Sequence, residues 1–71
     1  MKSLSATQII KVLQKHGFVL SRRRGSHIIF FNEMMKKSVP VPLHGKNKEI
    51  PIGTFLAIVK QSGIQKEEFK R

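Results

Sequence analysis

Apolar residues change rhythm several times along this chain, and each rhythm predicts an element. Ala6, Ile9, Ile10 and Leu13 recur at steps of three and four, which is one face of a helix. Ser5 and Gln8 have capping-box spacing, and Leu4 and Ile9 form the staple pair around that cap. Lys11 and Lys15 lie four apart on another face. Gly17 supplies a left-handed stop, so the spacing predicts a helix over 6–16. The rhythm then shortens to two. Residues 18–23 read as a strand with Phe18 and Leu20 on one face. Arg24-Gly25-Ser26 is a tight connection, with Gly25 free to take positive φ.

A second strand is predicted over 27–31. Alternation places His27, Ile29 and Phe31 on one face and Ile28 and Phe30 on the other. The pattern leaves open which face meets the core and which meets solvent or a partner. Residues 32–37 form a hairpin loop, and 38–43 a third strand with Val39, Val41 and Leu43 aligned. Pro40 and Pro42 lack N–H donors and assign that strand to a sheet edge. After a polar loop, Ile52, Phe55, Leu56 and Val59 match a helical face. Pro51 suits the first turn of that helix and Gly63 its stop. Ile64 and Phe69 anchor a short terminal turn over 65–69. The order helix, three antiparallel strands, helix reads as a two-layer α+β domain occupying residues 1–71, without a repeat or linker.

Charge changes this picture from a fold to a kind of partner. The 71 residues carry 14 Lys and Arg against 4 Glu, a net charge of +10. Residues 1–31 hold six bases and no acid, and residues 32–71 hold eight bases and four acids. A domain so small repels itself at this charge unless a polyanion or an acidic protein neutralises it. Nucleic acid is the first candidate; the plainer alternative is charge kept for solubility. Cysteine is absent, which excludes disulfides, thiolate zinc and iron–sulfur sites. The longest apolar run, 55–59, is far below membrane-helix length, so the expectation is a cytoplasmic protein that does not enter membranes.

Among side chains able to do chemistry, His27 stands out. It follows Arg22-Arg23-Arg24-Gly25-Ser26 and opens a strand. Imidazole moves protons near neutral pH, and guanidinium forks match phosphate oxygens. Together they suffice to cleave RNA without a metal. The base takes a 2′-hydroxyl proton, the oxygen attacks the adjacent phosphorus, and cations stabilise the phosphoryl charge. A lone histidine at a strand end is more often a surface or half-buried hydrogen bonder, and short basic runs are often solvated faces. On a strand Arg22 and Arg24 share a face and Arg23 takes the other. Lys46 and Lys48 form a second basic site, and two separated sites suit a backbone footprint. His44 is a second candidate, for phosphate binding or acid assistance. His16 reads as a helix-end or surface residue. Three histidines with no Asp or Cys make a poor metal set, so no metal or cofactor is expected.

Several stretches taken together resemble a known family. These are Gly25-Ser26-His27, the 39–44 run ending in His44, Glu49, the 53–64 run, and Glu67-Glu68-Phe69. In order and spacing they resemble the HicA toxins, messenger-RNA interferases of toxin–antitoxin pairs. The resemblance implies a double-stranded-RNA-binding-domain-like fold and ribonuclease activity that depends on the histidine at position 27. It places a second recurrent histidine at position 44, with a less defined role. It implies a HicB-like antitoxin that covers His27 and reaches DNA through its own DNA-binding part. One departure matters. Duplex-binding domains place a lysine cluster at the start of the last helix, whereas this chain has Ile50-Pro51-Ile52-Gly53-Thr54 there. Unpaired or structured message are both allowed.

The sequence therefore reads as an RNA-cleaving toxin with mRNA as substrate and His27 as base. Arg22, Arg23, Arg24, Ser26, His44, Lys46 and Lys48 are the candidate RNA contacts. Two rivals stand beside it. One is a non-catalytic RNA-binding module acting by occupancy, the other a structural partner whose basic face binds an acidic protein.

Overall fold

The computed structural model describes residues 4–43 and 49–69, so His44, Lys46 and Lys48 lie outside the described residues. Helix α1 spans Ala6–Lys15. Its capping box is formed: Ser5 Oγ accepts from the Gln8 amide at 3.3 Å, and Gln8 Oε1 accepts from the Ser5 amide at 3.0 Å. Two of the orphan donors at this end are thereby satisfied. Leu4 and Ile9 are both buried, as the staple requires. The helix caps on His16 and turns at Gly17, whose φ is 93°. A Cβ at Gly17 would also stand 3.2 Å from Asn32 Nδ2, so the position is crowded as well as left-handed.

Strands β1 (Val19–Arg24), β2 (His27–Asn32) and β3 (Lys37–Pro42) form an antiparallel sheet in the order β1-β2-β3. Gly25 takes the first position of the two-residue β1–β2 turn with φ 57°, the place where such turns favour glycine. The proline-bearing strand β3 is an edge, as its missing donors demand. Phe30, Val39 and Val41 point into the core, with Ile28 packed against it. That leaves His27, Ile29 and Phe31 on the opposite face.

One expectation about a buried face is corrected, on the second helix. Phe18 is buried, and Leu20 pairs with the core-facing Phe30 yet is 59% exposed. The helices pack chiefly along β3, and Leu20 sits on the far edge strand beyond their cover. On helix α2 (Ile52–Ser62) the buried positions are Phe55, Ile58 and Ser62, while Ile52 and Leu56 are 48% and 44% exposed. The helix is rotated toward its 55–58–62 stripe. Phe55 meets Phe69 edge-on there, with ring centroids 5.5 Å apart. Ser62 tolerates full burial because its hydroxyl donates to the Val59 carbonyl at 2.9 Å and accepts from the Ile64 amide at 3.1 Å. A 3-10 turn, Lys66–Phe69, returns Phe69 to the core, as the terminal anchor predicted.

The architecture is the two-layer α+β arrangement expected, helix–three-stranded sheet–helix, with double-stranded-RNA-binding-domain-like topology. Among the described residues no helix is long and apolar enough to cross a membrane.

Candidate nucleic-acid interface

The β1–β2 pairing decides where the basic run points. Arg24 pairs with His27, Arg23 with Ile28 and Arg22 with Ile29. Directly opposed residues share a face and stand about 5 Å apart at Cβ. Arg24 and Arg22 therefore share the face of His27, and Arg23 shares the face of Ile28. A bulge between Leu20 and Arg22 sets this phase. Without the inserted residue Arg22 would fall on the face of Leu20. All three arginines and His27 are exposed.

The β2–β3 pairing extends the same rows across the sheet. His27 pairs with Pro42 and Ile29 with Pro40. Two rows result, Arg24–His27–Pro42 and Arg22–Ile29–Pro40, each running from the open β1 edge to the proline edge. Ser26 is held in the turn beside His27, where its carbonyl accepts from the Leu43 amide. That bond ties the turn to the end of β3. No acidic residue lies on β1 or in the turn, so nothing there offsets the guanidinium charge.

Beyond Pro40 and Pro42 the surface dips into a groove of about 280 Å³ against one flank of α2. His27 stands at its margin, and Thr54, Ala57, Ile58 and Gln61 form the helical wall. These four lie at i, i+3, i+4 and i+7, a stripe the sequence offered but one not singled out by reading apolar positions alone. Their partners on β3 are distant in sequence, and only the packing brings the two walls together.

The chain matches the family model for the HicA toxin of bacterial toxin–antitoxin over residues 6–64. The chain belongs to the HicA toxin family. The HicA match runs from the start of α1 to Ile64 and stops short of Glu67-Glu68-Phe69. Comparison with curated proteins returns no match.

Within this HicA domain the remaining histidine described, His16, is a structural residue. It caps α1, and its Nε2 lies 3.5 Å from Glu68 Oε1. Its carbonyl accepts from Asn32 Nδ2 at 2.9 Å. Phe30 is spent in the core, whereas Phe31 is half-buried on the His27 face. Among the described residues no three His, Cys, Asp or Glu side chains gather as a metal-holding group.

Proposed function

We propose that this HicA protein is a metal-independent endoribonuclease that cleaves messenger RNA and so arrests translation. The Arg24–His27 pair carries the reading, because it sets a fixed cation beside an imidazole on an exposed, acid-free surface. Family membership supports the same reaction.

In the proposed step the His27 imidazole takes the proton of a ribose 2′-hydroxyl. The 2′-oxygen forms a bond to the adjacent phosphorus, and the bond from phosphorus to the 5′-oxygen breaks. The products are a 2′,3′-cyclic phosphate and a 5′-hydroxyl, the latter taking its proton from an acid or water. Arg24 and Arg22 hold the non-bridging oxygens as their charge builds. His44 or Lys46 would be that acid. Ser26, Lys48 and Arg23 extend the backbone footprint, with Arg23 reaching it from the other face of β1. A HicB-like antitoxin would silence the enzyme by covering His27 in the cytoplasm, and would carry the complex to DNA through its own DNA-binding part.

The test uses the chain purified free of antitoxin and incubated with RNA in chelator, beside His27→Ala. The parent is expected to cleave and the variant to lose cleavage with its circular dichroism unchanged. Equal cleavage by both would remove His27 from the mechanism. Tight binding without cleavage by either would favour action by occupancy.

A further inference from the structure

The groove beside His27 has a composition unlike the rest of the proposed RNA surface. Among the described residues its lining is Pro40, Pro42, Pro51, Ala57 and Ile58, with the Thr54 hydroxyl and the Gln61 amide as the polar groups besides His27. Pro42 and Ile58 are buried and form its floor, while Thr54 and Gln61 are more exposed at its sides. Among the described residues no Lys, Arg, Asp or Glu lines it. That described lining offers no cation to a phosphate and suits a flat neutral group with a polar edge. Ligand pockets of drug size begin at about 300 Å³, so a groove of about 280 Å³ is scaled to a single ring system.

Its position relative to the arginines is the second observation. The row Arg24–His27–Pro42 crosses the sheet from a cation, through the imidazole, to the groove floor. Adjacent strands are about 4.8 Å apart. A phosphate held over Arg24 and His27 therefore has its own nucleoside within one or two strand spacings, over Pro42 and the α2 flank.

We infer that this groove is a nucleobase subsite that takes one unpaired base of the RNA flanking the scissile phosphate, with Gln61 and Thr54 reading its edge. The proline rings and Ala57 pack against the base faces. The Gln61 amide offers one donor and one acceptor direction, the complement of a base edge. A base inside a duplex has that edge occupied by its partner, so only an unpaired base enters. The site would make the enzyme selective for single-stranded positions and for the base at one of them. This inference rests on the ribonuclease reading, and deepens it.

The experiment uses short RNA oligonucleotides in which the base on each side of a cut site is varied through all four, each also tested annealed to its complement. The parent chain is expected to favour one base at one flanking position and to cut the annealed form at least tenfold more slowly. In Gln61→Ala, an exposed position, that preference should fall by roughly tenfold while the other positions keep their order. Thr54→Val should shift the same preference and no other. Parent cleavage with no base preference, or the same cut pattern in Gln61→Ala, would overturn the subsite and leave the ribonuclease reading standing. If the parent does not cleave, binding of the same oligonucleotides decides. Base-dependent affinity lost in Gln61→Ala keeps the subsite without the nuclease, and affinity indifferent to base and variant removes it. A Gln61→Ala chain that loses its hold on the antitoxin but cuts with the parent's pattern would assign the groove to a protein and overturn the inference.

Discussion

Arg24 and His27 face each other across a two-residue turn, paired on the same side of the sheet. The turn fixes this relationship as much as the side chains do. With Gly25 accepting a left-handed φ, the strands re-pair at once, and the last residue of β1 meets the first of β2. A fixed cation thus stands beside the proposed base in the free chain. Arg24→Ala should lower kcat/KM for RNA cleavage by about 10- to 100-fold, the loss expected for one charged hydrogen bond to the phosphoryl group. Arg24→Lys should recover part of it, since a point charge replaces a fork. Arg24 is exposed, so thermal stability should hold in both. Unchanged cleavage in the alanine variant would detach Arg24 from the reaction.

Asn32 is the buried polar residue that joins the two layers. It is 4% exposed, donates to the His16 carbonyl and accepts from the Met35 amide, both at 2.9 Å. One side chain thereby satisfies the end of α1 and the β2–β3 turn. Asn32→Ala leaves both backbone groups short of a partner and should cost about 2–3 kcal/mol. Urea unfolding of the parent and variant measures this. A change below about 0.5 kcal/mol would show that other groups or water replace the amide.

Phe69 lies beyond the stretch that matches the family model, yet it is packed edge-on against Phe55 in the core. Phe69→Ala should cost about 3–5 kcal/mol. For a chain of 71 residues the whole stability is only about 4–11 kcal/mol. The variant should therefore melt far below the parent or fail to fold at 37 °C, while Phe69→Leu should retain a cooperative transition. Calorimetry or thermal circular dichroism distinguishes the two. A Phe69→Ala chain as stable as the parent would place the terminal turn outside the folding unit.

Ser5 offers a milder test of the first helix. Its hydroxyl is the acceptor half of the capping box. Ser5→Ala should cost about 1 kcal/mol and lower Tm by about 4–8 °C. Ser5→Asp should restore most of it, because the carboxylate accepts the same amide and favours a helix N-terminus. Equal melting of Ser5→Ala and the parent would show that the cap adds nothing to stability.

Much of this molecule was legible from residues alone because the signals are local. The capping box at Ser5, the left-handed turns at Gly17 and Gly25, and the edge strand implied by Pro40 and Pro42 each depend on a few neighbouring atoms. Alternation likewise separated Arg22 and Arg24 from Arg23, and the pairing agrees. The bulge before Arg22 instead sets which face that pair takes relative to Leu20.

What the residues could not decide is which of two apolar surfaces turns inward, because periodicity defines a face and not its partner. Ile28 and Phe30 face the core and Ile29 and Phe31 do not, since the helices lie on one side of the sheet. Helix α2 carries apolar residues around much of its circumference. Its rotation is set by Phe69 and the β3 valines rather than by its own pattern, which leaves Ile52 and Leu56 toward solvent. The groove is the strongest case. Its walls come from residues 40–42 and 51–61, with His27 at the margin, and no local rule joins those segments. By itself the sequence determined the order of elements, their ends and the basic run beside a histidine. The tertiary structure decided which side of the sheet that histidine shares, and what lies next to it.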